Sequence, residues 1–227
     1  MKTVVFDIET VGIPWLELDP MHREAVTRGA HDGEQYRTKK EWRSLSPFAS
    51  KPVVVAMMNP ETGQGKIWYE AEGERASKIS TDGQFEQIGC GEKPMLEEFW
   101  ATLARFERVV SYNGRCFDGP FLGIRSAIHG VAPTKNLSGY RYSVAEHVDL
   151  LEILTFQGAA PKISLHAACV AFGIPSPKSA EMHGYTVADA YREGRLTEIL
   201  EYCRRDVEAT AELFRRLDQT LLPLFKR

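Results

Sequence analysis

Residues 3–10 of the chain, Thr-Val-Val-Phe-Asp-Ile-Glu-Thr, form an apolar stretch that carries two acids. The pattern predicts a buried strand over Thr3–Ile8. Because side chains alternate along a strand, Val4, Phe6 and Ile8 share one face, and Val5, Asp7 and Glu9 share the other, with the two acids roughly 7 Å apart along the chain. Two carboxylates held close at the end of a buried strand raise each other's pKa unless a cation compensates their charge. The stretch therefore predicts a central strand with a pair of acids that could bind a hard cation.

Strands and helices are mixed along the rest of the chain. Further strands are predicted at residues 52–58, 66–69, 109–110 and 147–151, with a hairpin between the second and third strands around residues 60–63. Helices are predicted at residues 95–103, 117–129 and 164–172, from residue 186, and from 196 to about 222. Residues 70–92, which are acidic and glycine-rich, are predicted to be a surface excursion, and residues 182–185 a solvated loop. Five strands mixed with helices indicate an α/β domain with a mixed sheet.

A long polar segment, residues 12–50, separates the first two predicted strands. From Met21 to Lys51, one residue beyond this segment, the chain carries seven Lys or Arg side chains against four Asp or Glu. A segment this long inside a compact domain is usually functional or partly helical. Two interpretations stay open: a solvated helical insertion, or an arm whose basic side chains bind phosphate groups.

The composition excludes several classes of protein. The 227 residues carry 28 basic and 31 acidic side chains, and this near balance argues against coating nucleic acid by bulk charge. The hydrophobic content of 43% is typical of a globular protein rather than a fibrous or disordered one. Four cysteines without a C-x-x-C pair favour free thiols over a zinc knuckle. The sequence shows no secretory signal and no apolar run of about 18 residues, so we expect a cytoplasmic protein without a membrane span.

Three further polar residues occur at informative positions. Asp118 ends the segment Asn-Gly-Arg-Cys-Phe-Asp at a predicted strand-to-helix junction, where an N-cap would explain an acid equally well. Tyr202 and Asp206 are four residues apart on the last predicted helix, so they share a face beside its apolar stripe, which includes Cys203. Each pattern alone is weak, since a solvated strand face, a helix cap or a tyrosine at the core edge would explain it. Their order along the chain, D-x-E, N-x-x-x-F-D and Y-x-x-x-D, is more informative.

In that order the motifs resemble the DEDD superfamily of 3′→5′ exonucleases, in its tyrosine-bearing branch. The chain is similar, from Lys2 to about Leu217, to the proofreading exonuclease domain of family B DNA polymerases and to stand-alone predicted exonucleases related to it. The histidine-bearing branch has a His five residues before the last Asp, where this sequence has Glu201. The resemblance implies a ribonuclease H-like fold, a mixed five-stranded sheet flanked by helices. Residues 1–227 would form a single domain, with the polar arm at about 12–50 inserted.

The resemblance also implies a metal centre with two divalent ions, Mg²⁺ or Mn²⁺. The implied ligands are Asp7, Glu9, Asp118 and Asp206, with Asp7 shared by both ions. Glu9 and Asp206 would hold the ion that carries the attacking water, and Asp118 would serve the other ion. The hydroxyl group of Tyr202 would orient the water, whereas the metal would generate the hydroxide, since a phenol with a pKa of about 10 is a poor base at pH 7.

The implied activity is the removal of nucleoside 5′-monophosphates from single-stranded 3′ ends, with DNA slightly favoured over RNA as the substrate. The backbone at Thr10 and Val11 and the side chains of Asn113 and Phe117 would contact the terminal nucleotide, although core packing would explain Phe117 equally well. Two other functions stay open. The chain could be a ribonuclease H-like module that binds nucleic acid without cutting it, or a metal-dependent phosphoesterase that acts on free nucleotides.

Overall fold

The computed structural model describes residues 1–178, 183–184 and 186–225, so Met182 and Tyr185 of the predicted loop lie outside the described residues. The strands are β1 (Thr3–Gly12), β2 (Ser50–Met58), β3 (Gly65–Glu70), β4 (Ala76–Ile79), β5 (Phe85–Cys90), β6 (Arg108–Ser111) and β7 (His147–Asp149). The helices are α1 (Pro20–Thr27), α2 (Gly33–Glu41), α3 (Glu92–Leu103), α4 (Asp118–Ile128), α5 (Leu150–Leu154), α6 (Leu165–Phe172), α7 (Val187–Arg192) and α8 (Leu196–Gln219). Short 3-10 helices cover Trp15–Glu17, Trp42–Leu45 and Leu222–Phe225.

Within the described residues the strands form one mixed sheet of seven strands, in the order β4-β5-β3-β2-β1-β6-β7. β1 runs antiparallel to β2 and parallel to β6, and the expected hairpin of β2 and β3 is present. The five expected strands are therefore neighbours, which confirms the α/β architecture with helices against a mixed sheet.

The prediction of five strands was wrong, because β4 and β5 extend the sheet beyond β3. Both lie in residues 70–92, where we expected a surface excursion. β4 is an edge strand of four exposed residues, and β5 contains Gly89 and keeps no strict alternation of apolar and polar residues. Neither therefore shows the period of two by which a strand is recognised in a sequence. The last predicted strand is also shorter, because residues 150 and 151 begin α5.

β1 separates two hydrophobic layers. Val5 and Val11 belong to the layer that α8 covers, whereas Val4, Phe6 and Ile8 belong to the layer that α3 and α4 cover. This distribution confirms the two faces predicted for the first strand. The acids of β1 lie on the same face as Val5 and therefore point to the α8 side.

The segment between β1 and β2 consists of α1, α2 and two 3-10 helices. This confirms the helical interpretation of the arm, whereas its contact with phosphate groups stays a prediction. Two hydrogen bonds attach the arm to β1 and α4. The hydroxyl group of Thr10 in β1 donates to the carbonyl of Ser44 (2.7 Å), and the guanidinium of Arg125 in α4 donates to the carbonyl of Pro47 (3.1 Å).

The last long helix, α8, ends at Gln219, three residues before the predicted end, and the following 3-10 helix contains Pro223. Proline fixes its own backbone and disfavours helix at the residue before it, which is why the helix does not continue. In the part of the chain that the structure describes, no helix is long and apolar enough to cross a membrane.

Candidate active site

Three elements, β1, α4 and α8, place the predicted acids in one region. Glu9 and Asp206 are each 8% exposed, and Asp118 is 4% exposed, whereas Asp7 is half-buried. Tyr202 is also buried and shares a side-chain hydrogen bond with Asp206, one helical turn away. The sequence-predicted acids and the tyrosine therefore come together where α4 begins and α8 crosses β1.

A bulge interrupts the pairing of β1 with β2 beside the second acid. Glu9 pairs with Val54, but Thr10 pairs with Pro52, so that Val53 is an extra residue on β2. A bulge bends a strand and changes the direction in which nearby side chains point, and proline supplies no N–H group to the ladder. The bulge therefore changes the direction of the two strands beside Glu9, and the pairing resumes beyond it, from Thr10 to Gly12.

Asp118 lies at the first residue of α4 but does not cap that helix. The N-cap residue is Phe117, without a side-chain hydrogen bond to the helix, and Oδ1 of Asp118 accepts instead from the backbone N–H of Ile8 (3.2 Å). The carboxylate of Asp118 therefore bonds to β1 and not to the end of its own helix, so the capping interpretation is not supported. Ile8 lies between the two acids of β1. The bond fixes the third acid to the strand that carries the first two.

The loop that leads to Asp118 is held by an acid that the sequence reasoning missed. The carboxylate of Asp149 accepts from the backbone N–H groups of Asn113 (2.8 Å) and Arg115 (3.0 Å), and also from that of Leu151 (3.0 Å). Asn113 has a φ of 65°, in the left-handed region that few residues other than glycine adopt. Asp149 also caps α5 through its bond with Leu151, and no local pattern in the sequence indicates its bonds to groups 34 and 36 residues earlier.

Burial and mutual repulsion control the protonation of the acids. Burial, followed by the charges of Asp206 and Asp118, raises the pKa of Asp7 and of Glu9 well above the ordinary range. Burial raises the pKa of Asp118 and of Asp206 to about 7. Without a cation, the cluster therefore carries fewer than four negative charges at neutral pH.

A cysteine on α8 completes the closest group of donor atoms. Single ligand atoms of Asp7, Glu9 and Cys203 all lie within 4.8 Å of one another, whereas Asp118 and Asp206 are outside this group and act on it through their charges. The thiol of Cys203 lies 3.6 Å from Oδ2 of Asp7, and burial raises its pKa, so it stays protonated and donates to the carboxylate. In the sequence Cys203 was counted only as part of the apolar stripe of the last helix.

The four residues predicted to contact the nucleotide have different surroundings. The side chain of Val11 is 3% exposed and belongs to the core, and its backbone pairs with Lys51 of β2. Thr10 uses its hydroxyl group to bind the arm. Asn113 and Phe117 are half-buried, and the Phe117 ring lies 5.6 Å from that of Phe121. Phe117 is therefore partly a core residue, and its contact with a base stays a prediction.

The raised pKa values predict how stability depends on pH. The pKa of Asp206 is about 7 in the folded state against 3.8 as its ordinary value. Between these values the folded protein binds a proton that the unfolded chain does not, so the free energy of unfolding falls as the pH rises from about 4 to about 7. Asp206→Asn should flatten this fall in EDTA, measured by urea unfolding at a series of pH values.

The matched control for that series is Glu97→Gln, an exposed acid of α3. It should leave the pH profile of the free energy of unfolding unchanged. Equal profiles for wild type and Asp206→Asn would contradict the electrostatic description of the site. At pH 8 a divalent cation should restore stability to the wild type, because it binds the folded state alone.

Comparison with known proteins places this geometry in context. Residues 69–221 match the family model of a "predicted 3'-5' exonuclease related to the exonuclease domain of PolB". The fold is similar to that of a family B DNA polymerase from the hyperthermophilic archaeon Pyrobaculum calidifontis, with a TM-score of 0.64 and 19% identity, over 99% of this chain and 25% of the polymerase. The chain thus spans about a quarter of the length of that protein, and the likeness confirms the ribonuclease H-like fold. No protein of curated function matches the sequence.

Proposed function

We propose that this chain, which belongs to the family of predicted 3′-5′ exonucleases related to the exonuclease domain of PolB, releases nucleoside 5′-monophosphates from the 3′ ends of single strands by metal-dependent hydrolysis. The observation that carries the proposal is the meeting of Glu9, Asp118 and Asp206 around Asp7 of β1, with Tyr202 bonded to Asp206. DNA is the favoured substrate, since the related domain belongs to DNA polymerases.

The chemistry of the acids fits divalent cations. Their carboxylates offer oxygen ligands, which Mg²⁺ and Mn²⁺ prefer, and a cation would relieve the repulsion that raises the pKa of Asp7 and Glu9. We therefore assign Asp7, Glu9, Asp118 and Asp206 as the residues that would hold two such ions. The chemistry that the ions supply when bound is the activation of water and the neutralisation of charge on the phosphate and the leaving oxygen.

Tyr202 serves to orient the nucleophile, not to accept a proton. Burial and the nearby carboxylates raise the pKa of its phenol, so the hydroxyl group stays protonated at neutral pH. Its hydrogen bond with Asp206 fixes the position of the hydroxyl group beside the acids. A fixed, protonated hydroxyl group can accept from or donate to a water molecule and so hold it in line with the phosphate.

We also propose that residues 1–227 act as one nuclease domain with the helical arm inserted, and that the protein works in the cytoplasm. The larger part of the arm, residues 21–50, carries six Lys or Arg side chains against four Asp or Glu, and the arm is bonded to Thr10, one residue from Glu9. This attachment supports a role in which the arm contacts the strand near the scissile phosphate.

The deciding experiment is a degradation assay with matched DNA and RNA oligonucleotides, single- and double-stranded, labelled at the 5′ end. We expect a ladder that shortens from the 3′ end with Mg²⁺ or Mn²⁺, no product in EDTA, and none from a 3′-blocked strand. Binding without shortening would favour a non-catalytic nucleic-acid module. Hydrolysis of mononucleotide esters but not of oligonucleotides would favour a nucleotide phosphoesterase.

A further inference from the structure

Two tyrosine rings are exposed together on the segment that links α4 to β7. Tyr140 is 73% exposed and Tyr142 is 53% exposed, and their ring centroids lie 5.6 Å apart at an angle of 64° between the ring planes. Single exposed apolar residues are normal on a protein surface. Two adjacent large aromatic rings expose more apolar surface in one place and point to a binding role.

A buried arginine, Arg115, binds the backbone that carries these rings. The guanidinium of Arg115, whose side chain is 5% exposed, donates to the carbonyl oxygens of Tyr140 (3.2 Å), Ser143 (2.5 Å) and His147. The N–H of Ser143 donates to the carbonyl of Tyr140 (3.0 Å), and Val144 is buried in the core. The two rings are therefore held on a turn of defined shape, which lowers the entropy lost when a ligand binds.

Arg115 also connects this turn to the loop that carries Asp118. Arg115 belongs to the loop that ends at Asp118, and its backbone N–H binds the carboxylate of Asp149. A cleft of about 470 Å³ lies against the start of α4, and its walls include Gly119 and residues 135–138. These walls therefore include the residue that follows Asp118 and a segment that ends two residues before Tyr140.

An exposed guanidinium beside the rings suits a polyanion. Glu152 is shared by two guanidinium groups, those of Arg115 (3.2 Å) and Arg141 (3.1 Å), and with the buried Asp149 these four side chains balance in formal charge. The side chain of Arg141 is 54% exposed and lies between the two tyrosines in the sequence. Lys135 adds a second positive charge in the wall of the cleft.

We propose that Tyr140, Arg141 and Tyr142 form a stacking platform for single-stranded nucleic acid, which holds the bases that precede the 3′-terminal nucleotide. The inference rests on the proposed function and adds to it the place where the rest of the strand binds. Stacking on aromatic rings tolerates any base, and arginine contributes through phosphate attraction and stacking. Such a platform explains how an exonuclease could hold strands of any sequence while one terminal phosphate lies at the acids.

The test is a comparison of strand binding by the wild type, by Tyr140→Ala with Tyr142→Ala, and by Tyr140→Phe with Tyr142→Phe. Fluorescence anisotropy in EDTA, which prevents cleavage, gives the Kd for a strand of about 12 nucleotides. We expect binding to weaken about tenfold for each ring removed, whereas the phenylalanine variant keeps its affinity because it keeps both rings. With Mn²⁺ the alanine variant should show a raised KM for the long strand and a much smaller preference for it over a dinucleotide.

Ile79→Ala, which removes an exposed apolar side chain from β4, is the matched control and should bind like the wild type. Wild-type affinity in the alanine variant would overturn the platform. If the wild type cleaves strands but the phenylalanine and alanine variants lose strand affinity equally, the platform is also overturned. If the wild type binds strands through the tyrosines but cuts none, the platform stands and the proposed function fails. If it neither binds nor cuts them, both fail.

Discussion

Replacing Asp7 with asparagine is expected to lower nuclease activity by about a thousandfold or more. Asp7 belongs to the closest group of donor atoms, and the charges of Asp206 and Asp118 act on it directly. The substitution keeps the size of the side chain but removes the negative charge that a divalent cation requires. A thousandfold loss corresponds to about 4 kcal/mol of transition-state stabilisation, which is within the range for metal assistance. Initial rates on a 5′-labelled single strand with Mn²⁺ measure the effect.

The variant should fold at least as well as the wild type, because it removes one of several buried like charges. Its Tm in EDTA should therefore be equal or higher, whereas the increase in Tm with added Mn²⁺ should be lost. This pair of results separates a defect in metal binding from a defect in folding. Activity within tenfold of the wild type would contradict the assignment of Asp7.

Glu201→Gln is the matched control on α8. Glu201 stands one residue before Tyr202, five residues before Asp206, where the histidine-bearing branch has its histidine. If the site works as a tyrosine-type centre, removal of this charge should leave the rate within about twofold of the wild type, as is usual for a substitution that touches no reacting group. A loss similar to that of Asp7→Asn would mean that position 201 takes part in the chemistry.

The sequence predicted those features that depend on local periodicity or on motif order. The alternation in residues 3–10 assigned Asp7 and Glu9 to one face of β1, because side chains alternate along any strand whatever its partners. The same rule failed for β4 and β5, which are short and show no clear alternation. Their sheet structure comes from pairing with β3 and with each other, and a local pattern does not contain that information.

In the candidate site, too, local sequence patterns did not show contacts between distant parts of the chain. The four acids and Tyr202 were found by the order of their motifs, but Cys203 was counted as a core residue because helical spacing does not show which part of a stripe faces an acid. The contact with Asp7 depends on how α8 crosses β1. Asp149 was missed for a similar reason, since the backbone groups that it binds lie 34 and 36 residues earlier in the chain.

Asp149→Ala is expected to produce the largest loss of stability among changes near the site. The carboxylate is 2% exposed and accepts from the N–H groups of Asn113, Arg115 and Leu151. Removal leaves these groups without an acceptor, and those of Arg115 and Leu151 are buried, at about 1–3 kcal/mol for each buried group. We expect the free energy of unfolding, measured by urea denaturation, to fall by about 3–5 kcal/mol.

Asp149→Asn is the graded control, because Oδ1 of the carboxylate accepts from two of the N–H groups and Oδ2 only from that of Arg115. An amide keeps one acceptor oxygen and turns an NH₂ group toward Arg115, so about one bond is lost, or about 1–2 kcal/mol. Equal losses of unfolding free energy in both variants would contradict this count of hydrogen bonds.

In either variant the backbone N–H group of Arg115 should exchange its hydrogen faster than the backbone N–H groups of β1 do. The loop between Asn113 and Asp118 then loses its fixed shape, so Asp118 no longer has a defined position beside Ile8. The rate of strand cleavage should therefore fall by more than the folded fraction of the protein does.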